Sequence, residues 1–299
     1  VVIFYNQYWN FLKMIIPWWL ALSLPYFYFV DAKQEDTNDS YFQMGNVFLL
    51  HFEKVNKKII WQHLLSWIVK GFFFPLMFMY FVRDLTKFSN FNFQTITHFE
   101  SFFDFAYDSI FLIDVAFVSM GYLLSLKIFD SHIRSTEPTV KGWVVALLCY
   151  QPFWSLVSRQ YLDYTKAFGW GSWLSSSTVM FAIWGSMILI LYGIYVWSSV
   201  MFGLRFSNLT HRGIITNGPY RWLKHPAYVS KNIAWWMISV PFIIQESIGD
   251  SIRRSILLLM VNAIYYFRAK TEEEHLGQDP VYQNYSRWIN ENGLFRKNI

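Results

Sequence analysis

The chain has 299 residues, of which 54% are hydrophobic, 21% aromatic and only 15% Asp, Glu, Lys or Arg; soluble domains carry about 25% charged residues, so an ordinary water-soluble enzyme is excluded. The net charge of +5 comes from basic residues gathered in a few loops, which suits anionic lipid headgroups better than nucleic acid, and no nucleic-acid module is present. A single cysteine, Cys149, excludes an intrachain disulfide framework, a CxxC redox pair and a cysteine zinc site, and reads as a small packed side chain.

Apolar blocks recur along the chain at lengths that match the roughly 20 residues a helix needs to cross a bilayer. They predict seven spans, near 10–30, 60–82, 103–126, 142–158, 174–203, 226–245 and 252–267, of which 142–158 is the shortest. Backbone groups in lipid must satisfy one another, so the expected fold is an all-α polytopic membrane protein, kinked at Pro17, Pro25, Pro75 and Pro152. The chain opens on Val1 rather than Met, which leaves a missing start and a signal sequence open.

The long polar loop from Asp31 to Lys58, with Glu35, Asp36 and Asp39 ahead of Lys54, Lys57 and Lys58, reads as a solvated connector with a basic juxtamembrane edge. Lys and Arg are denser in the loops at 31–59, 127–141 and 204–225 than in those carrying Arg83 and Lys87, Arg159 and Lys166, or Arg253 and Arg254. By the positive-inside rule the denser loops and the C-terminal tail face the cytoplasm. Lys70 and Asp114 interrupt apolar spans near mid-membrane, where ionisable groups are costly, and antiparallel neighbours at similar depth predict a Lys70–Asp114 pair. Asp104 and Asp108, one turn apart, belong to the interface rather than to a metal site.

Two polar stretches bracket the last two spans. The first runs from Thr210 to Tyr228, with turns at Gly213 and Gly218-Pro219 and with Pro226 placed to start a helix. The second runs from Arg268 through Glu272, Glu273 and His275 to Leu276, then Asp279-Pro280-Val281-Tyr282 and Tyr285. Arg268 and Glu272 share a helical face if the seventh helix continues. The short connection from Gln245 to Asp250 predicts a hairpin that returns the second stretch to the face bearing the first. On the residues alone, this is either a ligand pocket or an interfacial anchor.

The run Gly218-Pro219-Tyr220-Arg221-xxx-His225-Pro226-x-Tyr228, then a hydrophobic hairpin, then Arg268-xxx-Glu272-Glu273-xx-Leu276 and Tyr282-xx-Tyr285, resembles the isoprenylcysteine carboxyl methyltransferase family. Related membrane enzymes methylate phospholipid amines. The resemblance covers about residues 205–290 and implies transfer of a methyl group from S-adenosylmethionine to a hydrophobic or amphiphilic acceptor, either a carboxylate such as a prenylated cysteine or a lipid amine. It implies a cytoplasmic cofactor site made by Tyr220, His225, Tyr228, Glu272, Glu273 and Tyr282, with Arg268, Glu272 and His225 at the reacting centre and Arg268 toward the acceptor. The chain then divides into N-terminal helices of unassigned role (1–203) and a methyltransferase-like membrane domain (204–299). Two departures are Lys224, where the family has Arg before His-Pro, and a shorter spacing from Leu276 to Tyr282.

Two other readings use different chemistry. A sterol-type membrane reductase would use NADPH, but the Glu272-Glu273 pair after Arg268 favours the methyltransferase pattern. A scaffold or transporter would use Lys70 and Asp114, but there is no internal repeat and the polar residues gather at one membrane face. The seven histidines form no HxxxH, HxxHH or HExxH motif, so neither a di-iron desaturase nor a zinc hydrolase is expected, and no metal is required. Gly169-Trp170-Gly171 reads as a loop bend rather than a nucleotide site.

Overall fold

A computed structural model describes residues 5–34, 37–165 and 168–296; Val1, Glu35, Asp36 and Lys166 lie outside the described residues. The architecture is helical, with eleven α-helices among the described residues: α1 (Asn6–Asp31), α2 (Ser40–Phe48), α3 (Lys57–Ser89), α4 (Phe99–Leu123), α5 (Val140–Leu147), α6 (Phe153–Ser155), α7 (Trp170–Trp173), α8 (Thr178–Phe202), α9 (Pro226–Ser239), α10 (Ile248–Leu276) and α11 (Pro280–Asn292). Two short strands, β1 (Ser135–Thr136) and β2 (Thr210–His211), pair antiparallel and tie the two long loops together.

Three helical stretches are long and apolar enough to cross a membrane: Asn6–Asp31, Lys57–Ser89 and Thr178–Arg205. The expected span at 142–158 is not one helix. It stops at Leu147, ahead of Pro152, which has no N–H to continue the ladder and disfavours helical backbone at Gln151. The expected span at 226–245 is helical for only 14 residues, about 21 Å at 1.5 Å per residue, against a hydrocarbon core of about 30 Å. The polar connector after α1 contains α2, whose first turn is capped by Asp39 accepting from the Tyr41 and Phe42 amides at 3.0 and 2.9 Å.

α4 packs between α3 and α8, and α9 packs on the far side of α8. Val69, Phe73 and Met77 of α3 meet Val118 and Tyr122 of α4 in one core; Phe103, Ile188, Tyr192, Ala234 and Met237 join α4, α8 and α9 in another. The expected Lys70–Asp114 pair is not formed. Asp114 points to α8 and accepts from the Tyr195 hydroxyl at 2.7 Å, whereas the Lys70 ammonium lies 5.6 Å from the Trp67 ring. Asp108 is paired with Lys87 at 3.0 Å.

The loop after α8 is fixed before it reaches the site. At Gly121 a Cβ would come within 2.6 Å of the Phe206 carbonyl oxygen, so glycine lets this loop cross α4 in contact. The buried Arg212 holds the crossing by donating to the Gly121 and Phe206 carbonyls at 2.9 and 2.8 Å.

Candidate functional site

The segment before α9 takes its path from Gly218, which sits at φ +57° and is followed by a single turn over Gly218–Arg221. Pro226 occupies the first turn of α9, where a missing N–H costs nothing, and His225 stands immediately before it. α10 continues without a break past the apolar residues to Leu276, so Arg268 and Glu272 share one face one turn apart. Asp279 accepts from the Val281 amide at 2.7 Å and starts α11, which carries Tyr282 and Tyr285 back over the loop.

The two polar stretches meet. His225 Nε2 lies 3.1 Å from Glu273 Oε1, and His225 Nδ1 lies 3.8 Å from Glu272 Oε2. The Tyr228 ring stacks parallel to the His225 ring at 5.5 Å, and its hydroxyl donates to Glu272. Arg268 donates from Nε to the same carboxylate at 3.2 Å and from Nη2 to Asn208 Oδ1 at 2.7 Å. Its guanidinium lies between the rings of Tyr150 and Tyr228, at 5.2 and 5.1 Å. Such an arrangement places one carboxylate, one guanidinium and a histidine–tyrosine stack along a common wall.

That wall bounds a cavity also lined by Tyr220, Tyr282 and Tyr285. Burial pushes the Tyr220 phenol far above its ordinary range, with the Glu272 charge adding to the shift, so it remains a neutral hydrogen-bonding group. Tyr220 is buried beneath Phe202, and its carbonyl accepts from the Tyr285 hydroxyl at 2.8 Å. The Tyr282 hydroxyl is buried with no hydrogen-bond partner among the described residues. It is the sort of orphaned polar group that a bound molecule would satisfy.

Of the residues expected to form the site, Tyr220, His225, Tyr228, Arg268, Glu272 and Tyr282 all line this cavity; Glu273 does not. Burial alone would raise the Glu273 carboxyl, but hydrogen bonds from His225 and from Lys270 (2.9 Å) outweigh that and hold it down to about 2. Further residues reach the wall without having been expected, among them Tyr150, Asn208, Lys231 and Tyr265. Asn208 also accepts from the Tyr150 hydroxyl at 2.9 Å, which links α10 to the segment after α5. Helical spacing from Tyr228 and Arg268 could have found Lys231 and Tyr265, which lie three residues away on α9 and α10; Tyr150 and Asn208 come from other parts of the chain and carry no such signal. No group of three or more His, Cys, Asp or Glu side chains able to hold a metal ion occurs among the described residues.

The family model described as the isoprenylcysteine carboxyl methyltransferase (ICMT) family matches residues 178–278. The matched stretch starts at the first residue of α8, takes in α9 and α10, and contains His225, Tyr228, Arg268, Glu272 and Glu273. The resemblance read from the motifs is therefore to this family of methyltransferases. No curated protein and no solved structure matches the chain.

Proposed function

We propose that the chain is an integral membrane methyltransferase that uses S-adenosylmethionine and acts on a hydrophobic or amphiphilic acceptor. The observation that carries this reading is the Glu272 carboxylate on the cavity wall, gathered with Tyr228, Arg268 and His225 inside the stretch that matches the methyltransferase family. The donor brings an activated methyl group on a cationic sulfonium. Glu272 offers that cation a negative partner, and the parallel rings of His225 and Tyr228 offer aromatic faces. The unpartnered Tyr282 hydroxyl and the neutral Tyr220 phenol add polar contacts on the same wall.

Arg268 is the residue suited to the acceptor. Its fork can turn part of its hydrogen bonding from Asn208 and Glu272 to a carboxylate and hold it in one orientation. Methyl transfer is a direct displacement, so orientation and exclusion of water supply most of what the protein contributes. A carboxylate acceptor has no proton to lose at neutral pH; an amine would have to pass one to Glu272 or His225. Glu273 fits a positioning role, since its partners are His225 and Lys270. The bias of Lys and Arg among the loops supports a cytoplasmic cofactor site and C-terminus. The acceptor-shaping role falls to the helices of residues 1–203, and the methyltransferase-like unit to residues 204–299.

The test is calorimetric titration of the detergent-purified protein with S-adenosylhomocysteine, with NADPH in a parallel cell. Saturable binding of S-adenosylhomocysteine by the wild type and its loss in Glu272→Ala are expected. Binding of NADPH alone, or undiminished S-adenosylhomocysteine affinity in the variant, would overturn the assignment.

A further inference from the structure

A second and larger cavity, about 2560 Å³, opens between α1, α2, α3 and the loop that follows α4. Among the described residues, the ring contacts and hydrogen bonds that fasten α1 to its neighbours lie near its ends. Tyr8 and Phe11 lie against Phe74 and Phe78 at one end. At the other end the Tyr26 hydroxyl accepts from the Lys127 amide at 3.0 Å, and the Phe27 ring meets the Tyr41 ring at 5.3 Å. Between these fastenings Trp18, Trp19 and Leu22 line an apolar wall that faces α3 across the gap.

The α3 wall is different. Gln62, Ser66 and Lys70 are spaced four apart and form one polar file down the helix into the cavity. The first two are satisfied by the neighbouring loop: the Thr136 amide donates to Gln62 Oε1 at 2.8 Å, and the Ser66 and Thr136 hydroxyls are 2.7 Å apart. The Lys70 ammonium lies 5.6 Å from the Trp67 ring, and among the described residues no carboxylate lies within 4.0 Å of it. The carboxylates elsewhere on the cavity wall include Asp39, taken by Lys127 at 2.6 Å, and Asp279, which lies 3.3 Å from His211 and caps α11.

An ammonium in the middle of a membrane-crossing helix is costly unless it is paired or hydrated. Helical side chains lean toward the N-terminus of their helix, so Lys70 reaches along the file toward Ser66, to the end of the cavity where Lys58 and Lys127 also line the wall. We propose that this cleft holds an acidic phospholipid drawn from the bilayer, its acyl chains between α1 and α3 and its anionic phosphate group paired with Lys70. The charge sign selects an anion, the apolar walls select acyl chains, and the tethering of α1 near its ends leaves the long side of the cleft open to lipid.

The experiment compares wild type, Lys70→Arg and Lys70→Gln, purified in mild detergent from membranes containing phosphatidylglycerol and phosphatidylcholine, by mass spectrometry of the retained lipid. Wild type and Lys70→Arg should retain phosphatidylglycerol above its share of the membrane, and Lys70→Gln should fall to that share. Ser66→Asp supplies a carboxylate one turn from Lys70 in an intact helix and should displace the lipid in the same way, so a folding defect in Lys70→Gln does not decide the result. Equal retention by wild type and both neutralised variants, or retention of phosphatidylcholine or a single-chain acid in place of phosphatidylglycerol, would overturn the proposal.

Discussion

Replacing Arg268 by lysine keeps the charge and removes the fork. In the structure Nε and Nη2 reach Glu272 and Asn208 together, at 3.2 and 2.7 Å, while the guanidinium plane lies between two tyrosine rings. A lysine ammonium is a single point charge and cannot reproduce the planar fork that reaches both partners from two separate nitrogens. The Glu272 side chain keeps 32% of its surface exposed, so solvent screens part of what is lost there. The bond to the buried Asn208 oxygen, which keeps the Tyr150 hydroxyl as a partner, is the larger loss, about 1.5–3 kcal/mol for a hydrogen bond to a charged group. If the fork also orients the acceptor, a comparable loss enters the transition state. At about 1.4 kcal/mol per factor of ten, kcat/KM should then fall by roughly 10- to 100-fold. The assay is transfer of a radiolabelled methyl group to a prenylated cysteine in detergent micelles, with S-adenosylhomocysteine titrated in parallel. The expected signature is a drop in kcat/KM with donor-analogue affinity kept within about threefold. An unchanged kcat/KM would remove Arg268 from the acceptor site; an equal loss of analogue affinity would move it to the donor half.

Gly218→Ala places a Cβ at φ +57° and within 2.8 Å of the Met201 side chain; it should lower stability by about 1–2 kcal/mol, the cost of left-handed backbone for a residue with a Cβ. Thermal unfolding in detergent would show this, with Gly218→Asn nearer wild type, and equal melting temperatures for all three would refute it. Burial lowers the His275 pKa from its ordinary 6.5, while Glu137 opposes the shift, so the folded state binds this proton less readily than the unfolded chain. Its stabilising contribution is complete above about pH 6.5 and is lost as the pH falls below that value, and His211, lowered chiefly by burial, acts with the same sign. Melting temperature followed between about pH 7 and pH 5 should therefore decline less steeply in His275→Gln than in wild type; parallel profiles would exclude the assignment.

Much of the site could be read from spacing because its parts lie on two continuous helices joined by a short connection. Arg268 and Glu272 are one turn apart, and the connection before α10 forces the end of that helix back toward His225 and Tyr228. Tyr150 and Asn208 could not be read in this way. They touch Arg268 from 118 and 60 residues away, and their positions depend on the break after α5 and on the crossing of the loop at Gly121. The Lys70–Asp114 expectation failed on direction. Tyr107 and Phe111 of α4 contact Tyr192 of α8 at 5.3 and 5.0 Å, and Asp114 continues the same helical face, which turns it to Tyr195 and away from α3. Hydropathy reports how deep a residue sits, and the neighbours of a helix decide which way it faces.

The same geometry separates the two adjacent glutamates. Successive residues on a helix point about 100° apart, so Glu272 and Glu273 cannot both face the cavity. Glu272 shares its face with Tyr265 and Arg268, both on the cavity wall, and accepts from Tyr228. Glu273 lies on the face of Lys270, and that ammonium together with His225 keeps it ionised. A strongly anionic Glu273 in turn fixes the His225 ring through Nε2, leaving Nδ1 toward Glu272 and the ring face against Tyr228. Two like charges in sequence thus do different work: one borders the cavity, and the other sets the orientation of the histidine that borders it.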